Sequence, residues 1–289
     1  FERLLRGLHP QESIRPFAGL AGLLVICKMI NPTQIQEAAD RLWEANSHGQ
    51  VCSPVRELIG TDDLEAAYQA QAINTNRKLN RGEVIVGYKV GLTSEAIQNQ
   101  LGVDQPDFGV LTDVTQIPNG GSMEASIILQ PKIETEIAFV LDHDLGERRP
   151  VMETLLRSIS TATSCLEIVG SRIENWDIRI TDTIADNASA SHFVVADEYV
   201  NLDDIDLEEC SMEMTKNGEI VSSGKGSACM GNPLNAALWL AQTMFDLNTP
   251  MKAGDIILAG ALGPMSPVES GDSFVATIDG LPGVSVTFD

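Results

Sequence analysis

The spacing of apolar residues along this chain changes near residue 81, from a helical to a strand-like pattern. Before that point, apolar residues recur at helical spacing and predict one helix over residues 33–46. They predict a second helix from Asp62, the start of a capping box, to about Leu79. After it, short β-rich runs dominate, beginning with Glu83–Val90. Because helices come first and a largely antiparallel set of strands follows, the pattern predicts an α+β fold and not a doubly wound α/β fold.

Strand-like runs continue to the C-terminus, with two helices between them. A short helix is predicted over Ser94–Leu101, and Asn232-Pro233 caps a helix that runs to about Phe245. Asn217-Gly218 is the strongest short hairpin signal in the chain. The further predicted strands are Ile127–Leu129, Ile133–Leu141, Leu166–Val169, Met212–Thr215, Ile220–Ser223, Ile256–Ala259, Ser273–Ile278 and Val284–Phe288.

Residues 1–28 differ from the rest of the chain. Three arginines precede the apolar run Phe17–Cys27, which is shorter than the roughly 20 apolar residues a membrane span needs. We expect an upstream extension that is non-native or disordered, with a processed targeting peptide as the alternative. Residues 29–289 are predicted to form a single domain, with a helical part at about 29–80 and a β-rich catalytic core at about 81–289.

The net charge argues against some classes of binding partner. Acidic residues outnumber basic ones 41 to 19, and the formal net charge is −22. Such a surface repels phosphate backbones and anionic lipids, which argues against nucleic-acid or membrane partners. Five scattered cysteines contain no CxxC pair, so neither a disulfide framework nor a zinc site is indicated. A protein of a reducing compartment, the cytoplasm, is expected.

The strand predicted at Ile133–Leu141 carries two glutamates. Glu134 and Glu136 stand two residues apart, so they share one face of the strand at roughly 7 Å between Cα atoms. Two like charges there repel each other and lose hydration, so they need a cation or basic partners. Ala138 continues the face with an apolar residue, which favours a metal site over a solvent-facing acidic edge.

A third carboxylate is available in the β-like run Leu166–Val169. Glu167 lies there among apolar residues, where a lone ionised carboxylate is costly. An all-carboxylate site suits Mg²⁺ or Mn²⁺ and not zinc, which prefers histidine and cysteine. Three protein oxygens leave three octahedral positions, and a 2-oxo acid could occupy two of them.

Other polar residues have both a structural and a functional interpretation. Lys89 stands in an apolar strand and either snorkels outward or is buried beside the carboxylates. Asp107 lies in a predicted turn over residues 104–109, where a surface aspartate is the common interpretation. Residues 181–189 form a predicted polar loop that includes Ser189. The glycine-rich loop 259–265 lets a ligand approach backbone N–H groups but lacks the lysine of a phosphate loop.

Six segments carry a specific resemblance. They run in order along the chain from about Met29, and together they resemble the 2-keto-4-pentenoate hydratase family of the fumarylacetoacetate hydrolase superfamily. The segments are VGYKVGLTS (86–94), LGVDQPDFG (101–109), PKIETEIAFVL (131–141), EIVGSRIENWDI (167–178), DTIADNAS (182–189) and AGDIILAGALGPM (253–265).

The resemblance implies a mixed, barrel-like β-roll with flanking helices, assembled as a homo-oligomer. It implies a divalent metal, Mg²⁺ or Mn²⁺, held by Glu134, Glu136 and Glu167. The implied reaction hydrates 2-hydroxypenta-2,4-dienoate to 4-hydroxy-2-oxopentanoate in the meta-cleavage degradation of aromatic compounds. A complex with a pathway decarboxylase or aldolase is a further expectation.

The resemblance also implies roles for residues around the metal. Lys89 binds the substrate carboxylate or delivers a proton, Asp107 acts as general acid or base, and Ser189 orients substrate or water. Leu92 and Gly263 are expected to contact the substrate together with Lys89.

Three other functions stay open at this point. The first is decarboxylation of 4-oxalocrotonate, which has the same metal ligands but needs a second cationic anchor. The second is hydration of a seven-carbon 2-oxo diacid on the same scaffold. The third is a non-catalytic metal-binding partner subunit, against which the intact set of candidate catalytic residues argues.

Overall fold

The computed structural model describes residues 31–94, 98 and 105–289. The extension expected over residues 1–28 lies outside the described residues. So do most of the short helix predicted at Ser94–Leu101 and the first four residues of the motif at 101–109. Nothing therefore tests these expectations, and the single-domain prediction for residues 29–289 also stays a prediction.

Six α-helices lie within the described residues, three of them before the first strand. They are α1 (Pro32–His48), α2 (Arg56–Ile59), α3 (Leu64–Asn80), α4 (Met152–Ser158), α5 (Ile180–Ala185) and α6 (Pro233–Asp246).

The ends of α1 and α3 show how local sequence sets helix boundaries. The Asn31 side chain accepts a hydrogen bond from the Thr33 N–H at 3.0 Å, and Gly49 ends α1 in a left-handed conformation with φ +63°. The predicted cap of α3 is wrong by one residue, because Asp63 and not Asp62 accepts the Ala66 N–H at 2.9 Å. Two adjacent aspartates offer the same cap, and the packing of the helix decides between them.

Fourteen strands lie within the described residues. They are β1 (Ile85–Gly91), β2 (Asp107–Thr112), β3 (Gln116–Ile117), β4 (Ser122–Met123), β5 (Lys132–Val140), β6 (Thr161–Val169), β7 (Ala190–Val195), β8 (Val200–Asn201), β9 (Ser211–Lys216), β10 (Glu219–Lys225), β11 (Ile256–Ala261), β12 (Ser266–Pro267), β13 (Ser273–Ile278) and β14 (Val284–Phe288).

The strands form two sheets that pack on each other. The larger sheet has the order β2-β1-β11-β5-β6-β7-β3, with β12 on β5 and β8 on β6, and the smaller has the order β10-β9-β13-β14-β4. Three pairs, β1–β11, β3–β7 and β14–β4, are parallel, so the sheets are mixed. The expected α+β fold with a mixed β-roll is confirmed.

The two faces of β6 have different surroundings. Leu166 and Ile168 are buried in the main core with Phe274 and Phe288 of the smaller sheet, whose rings meet edge to face at 5.9 Å. Glu167 alternates with them and therefore points to the opposite face. That face carries a separate apolar cluster, formed by Leu111, Ala138, Cys165, Phe193, Val195, Ile256 and Leu258.

Three predicted elements are corrected by the structure. The strand expected at Ile127–Leu129 is wrong, because a 3-10 turn covers Ala125–Ile127 and Ile127 is 58% exposed. The turn expected at 104–109 is wrong at its end, since Asp107 begins β2 and pairs with Gly91 of β1. The loop expected at 181–189 is mostly α5 followed by a 3-10 turn at Asn187–Ser189. Pairing and packing with distant segments outweigh local turn propensity in the last two cases.

Other local predictions are confirmed. Asn217 and Gly218 adopt left-handed conformations, with φ of +54° and +88°, in the hairpin between β9 and β10. The Asn232 side chain accepts the Leu234 N–H at 3.0 Å at the start of α6. Within the described helices none combines the length and apolarity needed to cross a bilayer.

Candidate active site

Three glutamates meet on one face of the larger sheet. Glu134 and Glu136 lie two residues apart on β5 and so share one face of the strand, and Glu134 lies directly opposite Glu167 of β6. One carboxylate oxygen from each lies within 4.8 Å of the others. Their exposed fractions are 9%, 0% and 0%, so the interpretation as a solvent-facing acidic edge is wrong.

Lys89 of β1 and Asp107 of β2 also belong to this cluster, although β11 separates β1 from β5 in the sheet. Nζ of Lys89 lies 3.2 Å from Oε1 of Glu167, and the lysine is 3% exposed, so the snorkelling interpretation is wrong. Asp107 is 1% exposed. A Cβ on Gly91 would lie 2.2 Å from Oδ1 of Asp107 and 3.4 Å from Nζ of Lys89. Gly91 therefore leaves the space in which the two head groups approach each other.

Ser189 joins the site through a second hydroxyl. It is 4% exposed, and its Oγ lies 3.5 Å from Oγ1 of Thr183. Burial raises the pKa of Asp107 and the nearby Thr183 hydroxyl partly opposes that rise, so the Thr183 side chain lies near both Asp107 and Ser189. Neither carboxylate oxygen of Asp107 accepts a hydrogen bond of good geometry from the described residues. The sequence alone did not single out Thr183, because a threonine in a predicted loop carries no distinguishing pattern.

The structure does not bring Leu92 and Gly263 to the carboxylates by any direct contact. Leu92 follows β1 with φ +58° and packs on the apolar cluster of the N-terminal helices. A Cβ on Gly263 would lie 2.9 Å from Oγ of Ser222, a residue of the smaller sheet. It is Gly260 that donates its backbone N–H, to Oε2 of Glu136 at 2.8 Å. Substrate contact by Leu92 and Gly263 stays a prediction.

Burial and mutual repulsion shift the ionisation of the cluster. Burial, together with the charge of Glu167, raises the pKa of Glu134 to about 8, and burial with the charges of Glu167 and Glu134 raises the pKa of Glu136. Burial raises the pKa of Asp107 to about 6, although Lys89 opposes the shift. Burial disfavours the charged form of Lys89, but the charges of Glu167 and Asp107 outweigh it and raise the pKa of this lysine.

The donor set fits a divalent cation. Oε1 of Glu136 and both carboxylate oxygens of Glu167 accept no hydrogen bond of good geometry from the protein. Buried acceptors without donors are rare, and each needs a partner. Carboxylate oxygens are the ligands that hard cations such as Mg²⁺ and Mn²⁺ take, so the three glutamates match such an ion.

His192 lies away from the three glutamates. His192 pairs in register with Ile168, so it lies on the sheet face opposite to Glu167. Burial, with the charges of Lys78 and Arg172, lowers the pKa of His192 to about 4.

Comparisons with known proteins find a matching family and relatives of similar sequence. The fumarylacetoacetate (FAA) hydrolase C-terminal family matches residues 91–288. The chain is 50% identical over 254 residues to the "TodF product hydratase" of Pseudomonas putida, covering 88% of this chain and 95% of that protein. It is 48% identical over 253 residues to "2-keto-4-pentenoate hydratase 1" of Dechloromonas aromatica, covering 88% and 96%.

A solved structure also resembles this one throughout its length. It is 4-oxalocrotonate decarboxylase from Pseudomonas putida G7, complexed with magnesium and adipate. The TM-score is 0.86 at 31% sequence identity, covering 90% of this chain and 99% of that chain.

Proposed function

The chain belongs to the fumarylacetoacetate hydrolase family, and on that premise we propose that it is a divalent-metal-dependent hydratase. Its substrate is 2-hydroxypenta-2,4-dienoate, its product 4-hydroxy-2-oxopentanoate, and its place the meta-cleavage degradation of aromatic compounds. The observation that carries the proposal is the buried cluster of Glu134, Glu136 and Glu167 in contact with Lys89. Two relatives of about half-identical sequence are named as hydratases, one of them as a 2-keto-4-pentenoate hydratase.

The proposed reaction consists of two proton movements and one addition. The substrate loses its 2-hydroxyl proton and gains a proton at C5, which gives an α,β-unsaturated 2-oxo acid. Water then adds across the remaining double bond, with its hydroxyl at C4 and its proton at C3. Both steps develop negative charge on the 2-oxygen, so the site has to bind and neutralise that oxygen.

Glu134, Glu136 and Glu167 hold the cation in this proposal. When bound, Mg²⁺ or Mn²⁺ supplies Lewis acidity toward the carboxylate and 2-oxygen of the substrate. The glutamates are fixed by the register of β5 and β6, and the Gly260 N–H holds Oε2 of Glu136 at 2.8 Å. They therefore present a preformed set of oxygens, and little rearrangement is needed on binding.

Lys89 and Asp107 have the proton-handling and anion-binding roles. The ammonium of Lys89 is buried and positively charged, so it attracts the substrate carboxylate into a chain of net charge −22. Asp107 lies beside it and can exchange a proton with the substrate as general acid or base. Ser189, next to Thr183, orients the attacking water.

A dienol-decay assay with carbon dioxide detection tests the reaction. The protein is given 2-hydroxypenta-2,4-dienoate and then 4-oxalocrotonate, each with Mg²⁺, with Mn²⁺ and with EDTA. We expect metal-dependent conversion of the pentadienoate without CO₂. Release of CO₂ from 4-oxalocrotonate with little pentadienoate turnover would instead assign a decarboxylase, the activity named for the solved structure of similar fold. Metal binding without turnover of either compound would assign a non-catalytic subunit.

We also propose a cytoplasmic homo-oligomer. Cys52, Cys165, Cys210 and Cys229 are free thiols, which supports a reducing compartment.

Ile220 and Val275 are 61% and 44% exposed and lie on either side of Thr215 on the outer face of the smaller sheet, which supports a contact with a second copy. Light scattering of the purified protein, repeated with Ile220→Lys, tests the assembly. Complex formation with a pathway decarboxylase or aldolase is tested by co-purification.

A further inference from the structure

The turn that carries Ser189 has an unusual backbone. Asn187, Ala188 and Ser189 have φ values of +58°, +51° and +57°, and none of them is glycine. Residues with side chains populate this left-handed region sparsely, and such strain persists only where the surroundings enforce it. The contacts that enforce it here involve Asn187.

The Asn187 side chain binds the edge of the larger sheet. Its Oδ1 accepts the Val110 N–H at 2.8 Å, and its Nδ2 donates to the Val110 carbonyl at 3.0 Å. Among the described residues β2 is the last strand at this edge of the sheet, and no described strand pairs with these two groups on the outer side. The amide of Asn187 thus replaces one residue of a missing neighbouring strand.

The Asn187 backbone approaches the same strand closely. A Cβ on Gly109 would lie 2.4 Å from the carbonyl oxygen of Asn187 and 3.3 Å from Cγ of Lys89. Gly109 is opposite Lys89 in the pairing of β2 with β1. The Asn187 carbonyl and the stem of Lys89 therefore both border the space that a side chain at Gly109 would fill.

Two candidate catalytic residues depend on this attachment. Asp107 lies three residues before Val110 on the strand that Asn187 holds, and Ser189 lies two residues after Asn187. The hydroxyl of Thr183 lies 3.5 Å from that of Ser189. Fixing Asn187 to Val110 therefore sets the separation of Ser189 from Asp107 and Lys89.

We propose that Asn187 is a positioning residue, which holds Ser189 in register with the Lys89–Asp107 pair by clamping the free edge of β2. This inference rests on the proposed function for its catalytic consequence, but the clamp itself does not. The metal ligands lie on β5 and β6, so the clamp acts on turnover and leaves metal binding unchanged.

The test compares Asn187→Gly, Asn187→Asp and a matched control. Glycine removes the amide and still accepts a positive φ, and aspartate keeps an acceptor for the Val110 N–H but loses the donor. The control is Asn217→Gly in the β9–β10 hairpin. Asn217 also has a positive φ of +54°, and its amide also makes two hydrogen bonds, with the Ser273 N–H at 2.8 Å and with Asp272 at 3.0 Å.

Three measurements are made on the metal-loaded proteins: kcat and KM on the pentadienoate, Mn²⁺ affinity, and hydrogen exchange of the segment 107–112. We expect Asn187→Gly to lower kcat about 10- to 100-fold, as a displacement of about 1 Å does. KM and Mn²⁺ affinity stay within about threefold in this variant, because ligand binding does not use the clamp. Exchange in segment 107–112 increases.

Asn187→Asp is expected to recover part of kcat, and Asn217→Gly to keep kcat within about twofold of wild type. An unchanged kcat in Asn187→Gly would overturn the proposal, as would a parallel loss of kcat and Mn²⁺ affinity. If Asn187→Gly does not fold, Asn187→Asp replaces it: an unchanged kcat in that variant, or a parallel loss of kcat and Mn²⁺ affinity, would overturn the proposal.

The failure of the proposed function is seen separately. If the wild-type protein turns over no dienoate, the proposed hydratase function is wrong. Hydrogen exchange of segment 107–112, compared between wild type and Asn187→Gly, still tests whether Asn187 holds β2. Unchanged exchange in Asn187→Gly overturns the clamp whatever the activity.

Discussion

Two buried ion pairs in this protein have opposite surroundings. Arg172 and Asp186 are matched one to one: the Arg172 N–H donates to Oδ2 of Asp186 at 3.0 Å, and the guanidinium donates to Oδ1 and the carbonyl of Asp186. Lys89 instead faces Glu167 at 3.2 Å with three further carboxyl groups nearby, of Asp107, Glu134 and Glu136.

The difference between the pairs separates a structural from a functional charge cluster. In the Arg172–Asp186 pair each guanidinium nitrogen donates to an acceptor of the protein, and one carboxylate balances one cation. Around Lys89 the carboxyl groups outnumber the single cation, and oxygens of Glu136 and Glu167 stay without hydrogen bonds. A cluster of buried charges of one sign destabilises the folded state, so a protein retains such a cluster where a bound ligand balances the charge.

The largest expected effect comes from changing Glu167 to glutamine. Removing a metal ligand lowers Mn²⁺ affinity by at least about 100-fold, more than the loss of a residue behind a ligand, and activity falls at least as far. In EDTA the variant is no less stable than wild type, since the amide removes one of four crowded acidic groups. Calorimetric Mn²⁺ titration and thermal unfolding in EDTA measure the two effects. Wild-type metal affinity in Glu167→Gln would remove Glu167 from the site.

The same carboxylate-to-amide change at Asp186 has the opposite effect on stability. Asp186→Asn leaves Arg172 buried without an anion, so we expect a loss of about 3 kcal/mol in unfolding free energy. Denaturant unfolding in EDTA, with Glu167→Gln measured beside it, gives the comparison directly. Equal losses in the two variants would show that the two clusters do not differ as described.

The pH dependence of metal-free stability follows from the raised pKa values. Burial raises the pKa of Glu134 to about 8, that of Asp107 to about 6 and that of Glu136 as well. These three groups outweigh His192, whose pKa is lowered to about 4, so between pH 5 and 8 the folded state holds more protons than the unfolded state. Stability therefore falls as pH rises through this range. We expect the Tm in EDTA to be lower at pH 8 than at pH 5 by several degrees. This difference corresponds to a decrease in unfolding free energy on the order of a few kcal/mol.

Saturating Mg²⁺ should remove most of that pH dependence, because the cation favours the ionised carboxylates. A Tm in EDTA that rises between pH 5 and 8 would contradict the crowding of acidic groups around Lys89.

The smallest effect is expected at an exposed ion pair. Arg157 and Glu153 lie one turn apart on α4 with an N–O distance of 2.6 Å, and both side chains are about three-quarters exposed. Glu153→Ala should change the unfolding free energy by no more than about 0.5 kcal/mol. Denaturant unfolding checks this value, and a larger loss would mean that burial is not what distinguishes the three ion pairs.

Local sequence predicted most of the elements that build the site. The glutamates of β5 share a face because side chains alternate in a strand, and this follows from spacing alone. The need for a cation followed from two like charges beside an apolar continuation. Lys89 was left between two interpretations, because its strand is apolar on both sides and the burial of a lysine depends on which partner strand covers it.

Asp107 and Ser189 show where local reasoning ended. Turn-forming residues surround Asp107, yet pairing with β1 makes it the first residue of a buried strand. Ser189 was predicted in a polar loop, and its left-handed backbone is enforced by contacts between residues 77 positions apart, Asn187 and Val110. The family resemblance pointed to both residues, but it named no contact for either.

The sequence by itself determined the Asn232 cap of α6, the hairpin at Asn217-Gly218, the α+β class and the position of Glu134 and Glu136 on one strand face. Each of these depends on residues within a few positions of one another, where backbone geometry leaves few choices. Only the tertiary structure decided that Glu167 lies opposite Glu134, that Lys89 is buried against Glu167 and that Ser189 lies beside Thr183. Those contacts join distant segments, and their register is set by which strands pair, a choice made by burial of the whole core.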